Sequence, residues 1–130
     1  MATLNATLTL SSTDVSSDTL SLTVTDSLTL GANDARINRR ISPNDVDPGG
    51  TQIFDTNLGK SYIYARNTHA TLTIYLAAAA DTAVGSAWIT LAPSEFAFFP
   101  WSGVVDLFAH SGANGQGVAT DGLEYMIFEA

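Results

Sequence analysis

The chain has 130 residues, enough for one domain that buries its own core without staples. Thirteen acidic against five basic side chains leave a net charge of −8, which argues against nucleic-acid binding, since that needs cations to displace counterions from phosphates. With no cysteine, neither a disulfide framework nor a thiolate metal site can form. No apolar run approaches the ~20 residues that span a bilayer, and the N-terminus lacks the basic-then-apolar pattern of a signal peptide.

In chain order, the first third alternates with period two. Leu4, Ala6, Leu8 and Leu10 share a face, and after the polar break SSTDVSSD the pattern returns at Leu20, Leu22 and Val24, then Leu28 and Leu30. Such alternation, with Thr between, predicts half-buried strands. Residues 1–34 are expected to behave as an arm or an added hairpin, and residues 35–130 as the β core of a single domain. Ile37 and Ile41, alternating with Arg36, Asn38 and Arg40, suggest a strand with one charged face. The segment SPNDVDPGG is a loop by its prolines, glycines and Asn/Asp residues.

Thereafter the runs TQIF, SYIYAR, TLTIYL, AWITL, EFAFF, VVDLFAH and LEYMIFE are separated by turn residues. Short strands at this spacing predict an all-β, antiparallel β-barrel or jelly-roll-like sandwich. The alanine-rich stretch from Ala77 to Ala87 is expected to be a long loop or one helical turn. Pro93 suits the second position of a turn over Ala92-Pro93-Ser94-Glu95, which would pair AWITL with EFAFF as a hairpin. On that strand Phe96 and Phe98 face one way, Ala97 and Phe99 the other, so both faces should be covered, one by a barrel core and the other by a subunit contact.

Candidate chemistry is sparse. His69 and His110 have no partner at metal-site spacing, and each is expected at a surface or strand edge. Serines are plentiful, but there is no G-x-S-x-G elbow. Glu95, Asp106, Glu124 and Glu129 could supply a carboxylate pair for glycoside chemistry, although turn or rim roles fit them better. Asn44, Asp45 and Asp47 lack the spacing and terminal Glu of a calcium loop. The glycine-rich SGANGQG leads into a strand, whereas a phosphate-binding loop opens a helix. No catalytic residue, metal site or cofactor is assigned. Arg36, Arg39 and Arg40 form the one basic cluster and could dock an acidic neighbour. Trp88 and Trp101, amid phenylalanines, are expected to be buried as core or interface anchors.

From Ser61 to Ala130 the chain resembles small all-β virion proteins of tailed phages of the marine and cyanobacterial type. The residues that carry the likeness are Tyr62, Tyr64, Asn67 and Thr68 (Y-x-Y-x-x-N-T), then Leu91, Pro93, Glu95, Phe96, Phe98, Phe99 and Pro100 (L-x-P-x-E-F-x-F-F-P). The threonine-rich run from Leu22 to Leu28 fits the same group. The resemblance implies a non-enzymatic structural role in the virion, as a trimeric decoration or cement protein on the outer capsid surface. It would be made in the host cytoplasm and would bind the major capsid protein. A tail, fibre or connector component and a carbohydrate-binding host-adhesion module are the alternatives. The candidate subunit or capsid interface is Arg36, Arg39, Arg40, Trp88, Phe96, Phe98, Phe99 and Trp101.

Overall fold

The computed structural model describes residues 2–15, 18–31, 35–41, 50–78, 84–111 and 122–130, with the backbone alone described for Ala2, residues 35–41 and Val84. The chain divides into two compact units, Met1–Asp34 with Ala130, and Ala35–Glu129. In the first, β1 (Ala2–Ser12) and β2 (Leu20–Leu30) pair antiparallel in unbroken register from Ala2 opposite Leu30 to Ser12 opposite Leu20.

The second unit holds β3 (Ala35–Ile41), β4 (Thr51–Phe54), β5 (Ser61–Asn67), β6 (Ile74–Ala77), β7 (Ile89–Leu91), β8 (Phe96–Trp101), β9 (Leu107–His110) and β10 (Leu123–Glu129). They form two four-stranded antiparallel sheets, in the orders β3-β10-β5-β8 and β4-β9-β6-β7. Numbered within the unit, these orders are 1-8-3-6 and 2-7-4-5. Every connection but that from β6 to β7 therefore crosses between sheets, which is the double-sheet jelly roll. Of the two expected architectures, the chain takes the sandwich and not the closed barrel.

The core lies between the sheets and draws on both. Ile53, Phe54, Ile74, Leu76, Leu91, Leu107 and Ala109 enter from one sheet, and Ile63, Ala65, Trp101, Leu123, Tyr125 and Ile127 from the other. Period-two patterning does the sorting: every second residue is buried in β5 from Ser61 to Asn67 and in β10 from Leu123 to Ile127. Trp101 seals one end. Its ring meets Phe54 and Phe99 edge-on, with centroids 6.5 and 6.2 Å away, and Nε1 donates to the Val105 carbonyl at 2.9 Å. Trp101→Phe removes that donor and part of the packed ring, and should lower the unfolding free energy by about 1–2 kcal/mol in urea titration.

AWITL and EFAFF do not form a hairpin. β7 pairs with β6, and β8 pairs with β5 in the other sheet. The turn between them exists: Glu95 N–H donates to the Ala92 carbonyl at 3.0 Å, and Ser94 has φ of 71°. With Pro93 at its second position and a positive φ at its third, this is a type II turn. Unprimed turns splay the strands they join, whereas two-residue hairpins use the primed types. The proline thus sends the chain across the sandwich instead of back along its own sheet.

The first segment of the alanine-rich stretch continues β6 through Ala77, and a short 3-10 turn spans Val84–Ser86. Residues 79–83 lie outside the described residues, as do the Asn44, Asp45 and Asp47 loop and most of SGANGQG.

Candidate functional site

The outer face of the β10-β5-β8 sheet is the most distinctive surface of the jelly-roll unit. The register sets three rows across the strands: Glu124, Arg66 and Phe96; Met126, Tyr64 and Phe98; Phe128, Tyr62 and Pro100. The first row carries both charges, and the other two are aromatic or apolar. Phe96 is 63% exposed and Phe98 42%, while Tyr62, Tyr64, Met126 and Phe128 are half-buried. The rings rest on one another across the β5–β8 seam. Tyr62 stacks on Phe98 with centroids 6.2 Å apart, and Tyr64 lies tilted against Phe96 at 6.4 Å. Diagonal neighbours on adjacent strands reach each other when both are large, so the face is preassembled without a partner. A shallow open groove lined by Tyr64, Arg66, Ser94 and Phe96 runs along its charged margin.

The alternation expected of β8 holds: Phe96 and Phe98 point out, Ala97, Phe99 and Trp101 in. The inner face of this strand is covered by the core, and within the single chain its outer face is open. Of the candidate interface residues, Phe96 and Phe98 lie on the exposed face. Phe99 packs against the core, and Trp101 is one of its members. The two tryptophans part company: Trp88, expected to be buried, is 63% exposed, its ring tilted on Trp101 at 5.3 Å. Its backbone N–H is held by the Leu76 carbonyl at 2.8 Å, which fixes the residue beside the sandwich end and leaves the ring outside. Arg36, Arg39 and Arg40 lie on β3, opposite Ile127, Tyr125 and Glu124 of β10, and their side chains are outside the described residues.

Three of the polar residues weighed for chemistry, Glu95, Asp106 and His69, serve loops. Glu95 accepts the Ala92 N–H at 2.7 Å within the turn, and Asp106 accepts the Thr56 N–H at 2.9 Å, joining two loops at one end of the sandwich. His69 Nδ1 accepts the N–H groups of Thr71 and Leu72 at 3.1 and 2.9 Å, closing its own turn. His110 departs from its expected edge position: it is fully buried, its ring stacked on Tyr75 at 5.3 Å. Among the described residues no group of three or more His, Asp or Glu is placed to hold a metal ion, and no helix is long and apolar enough to cross a membrane.

Sequence reasoning passed over Tyr64, Met126, Phe128 and Pro100 as members of this face. Their alternation with Ile63, Ala65 and Ile127 was visible, but both phases are apolar. Only the strand order shows which phase looks outward and that three strands bring their outward residues together. No protein-family model, no curated protein and no solved structure matches this chain.

Proposed function

We propose that this chain is a non-enzymatic structural protein of a virion, a decoration or cement protein that docks on the outer capsid lattice. The observation that carries this reading is the open aromatic face of β10-β5-β8. A contiguous apolar patch with a polar margin is what protein docking surfaces present, and aromatic residues and Met are enriched in their centres. The jelly roll is a scaffold found in capsid proteins, though also in lectins and cupins, so the fold lends support without carrying the argument. The acidic charge and low content of charged side chains fit a protein that packs against other protein surfaces.

The test is mass spectrometry of purified particles, giving copy number relative to the major capsid protein. A stoichiometric copy number is expected, and absence from the particles would refute the proposal. The doubly substituted Phe96→Ser/Phe98→Ser protein should stay folded while losing about 1–2 kcal/mol of unfolding free energy, because each ring packs on a tyrosine of β5. Its affinity for particles should fall at least about tenfold.

The exposure of Trp88 favours a second reading, a carbohydrate-binding adhesion module in which exposed aromatic rings stack on sugars. It predicts that glycan binding is lost in Trp88→Ala and that acrylamide quenching of this tryptophan is blocked by the glycan. A silent glycan array would remove it.

A further inference from the structure

The β1–β2 ribbon is two-faced along its whole length. Thr3 stands opposite Thr29, Asn5 opposite Ser27, Thr7 opposite Thr25, Thr9 opposite Thr23 and Ser11 opposite Ser21, so one face carries hydroxyl and amide side chains alone. Ser27 Oγ donates to Asn5 Oδ1 at 2.8 Å and the Thr7 and Thr25 hydroxyls bond at 3.1 Å, so this face is at ease in water. The other face sets Leu4 against Leu28, Leu8 against Val24 and Leu10 against Leu22. Leu28 and Leu30 are buried, but Leu8, Leu10, Leu20, Leu22 and Val24 are exposed. A two-stranded hairpin is marginal in water by itself, and this one leaves most of its apolar stripe bare.

The edges point the same way. In the jelly roll all four edge strands are blunted: β8 carries Pro100, β7 has three residues, and the pairings of β3 and β4 are broken by register shifts. Such features stop further strands from adding. β1 and β2 are 11 residues each, with no Pro, Gly or Lys and no register shift, and among the described residues no further strand pairs with either outer edge, so both are templates for addition.

We propose that the hairpins of three copies of this chain close into a six-stranded antiparallel ring. The outer edge of β1 in one copy pairs with the outer edge of β2 in the next, the Leu/Val stripe turns inward and the hydroxyl face meets water. A second copy is the occupant that satisfies both edges at once. A foreign strand fills one edge, leaves the other open and leaves the stripe uncovered, whereas ring closure abolishes edges altogether. Two ribbons stacked face to face do not suffice. The stretch from Ala6 to Ser12 offers a face of about 24 by 10 Å, roughly 240 Å², against the roughly 800 Å² per partner of a stable interface. Closing the ring adds backbone hydrogen bonds along two seams per copy. With Ala6 and Ser12 among the inward positions, the stripe lacks the bulk to fill an eight-stranded ring, so three copies pack best. The stripe holds one ionisable side chain, Asp26 opposite Ala6, and three copies bring three of these carboxylates to one level.

The full chain is examined by native mass spectrometry and sedimentation. The wild type is expected as a trimer at micromolar concentration. Leu10→Asp/Leu22→Asp should weaken the trimer at least about 100-fold, while Thr9→Asp/Thr23→Asp, with the same charge on the opposite face, should leave it assembled. Asp26→Asn should tighten it several-fold. A monomeric wild type, a trimer that survives the leucine substitutions, or equal loss from both faces would overturn the proposal. Because the aspartates could unfold the hairpin, a nitroxide on Ser11→Cys in the otherwise cysteine-free chain provides a second reading. Labels of neighbouring copies should lie within about 30 Å, and a trimer without such short distances refutes the ring. A monomeric hairpin on a protein that still binds particles would remove this inference and keep the docking function.

Discussion

Replacing Asn67 with alanine is expected to lower the unfolding free energy by about 3–4 kcal/mol, because a fully buried amide is then lost from the centre of a loop cluster. Its Nδ2 donates to the Leu72 carbonyl at 2.7 Å and to the Leu91 carbonyl at 2.9 Å, and its Oδ1 accepts the His69 N–H at 2.8 Å. Its backbone is equally engaged: N–H to the Glu95 carbonyl at 2.9 Å, and C=O from the Ser94 N–H at 3.1 Å. One residue thus ties the end of β5 to the loop before β6 and to the turn between β7 and β8. Alanine removes the partner of two carbonyls and one N–H, fully buried at the Leu91 carbonyl and part-buried at the other two, and each orphan closed to water costs about 1–3 kcal/mol. Asn67→Asp should be at least as damaging, since it places a carboxylate oxygen against those two carbonyls. Urea denaturation followed by tryptophan fluorescence measures both. A loss below about 1 kcal/mol for either would show that water enters the cluster.

Gly103→Ala should cost about 3 kcal/mol or more, combining a disfavoured backbone with a collision. Gly103 has φ of 74°, and a Cβ there would overlap the Gly59 carbonyl carbon and oxygen. That carbonyl also accepts the Ser61 hydroxyl at 3.2 Å, so moving it disturbs a buried serine at the start of β5. Gly59→Ala separates the two contributions. Gly59 has φ of 67°, but a Cβ there meets nothing within 4 Å, so conformational strain alone applies, about 1–3 kcal/mol. If the two alanine variants melt alike, the close approach of the two backbones contributes nothing. A larger loss for Gly103 locates it as the point where the loop before β9 rests on the loop before β5.

Most of the strands were legible in the sequence because a strand is a local pattern. Ile63, Ala65, Ile127 and Phe99 alternate with their neighbours, and turn residues such as Pro93 and Ser94 mark the breaks. Even the failed hairpin between AWITL and EFAFF had its warning, since Pro93 at the second position calls for an unprimed turn. The aromatic face was half legible. Phe96 and Phe98 were assigned to one side of their strand, but Tyr64, Met126 and Phe128 join them only through pairing across β5 and β10. Trp88 and Trp101 are opposite in burial. What separates them is their neighbours: Trp101 meets Phe54 and Phe99 in the core, while Trp88, its N–H held by the Leu76 carbonyl, leaves its ring outside.

By itself the sequence determined an all-β chain without cysteine chemistry, the strand alternation, and a Thr/Leu ribbon ahead of the core. These follow from properties of single residues and their nearest neighbours, which do not change with the fold. Only the tertiary structure decided the order β3-β10-β5-β8 and β4-β9-β6-β7, the choice of sandwich over barrel, and the gathering of outward rings into one surface. Those depend on contacts between residues far apart in the chain. Where both phases of a strand are apolar, no local pattern can say which of them meets the core.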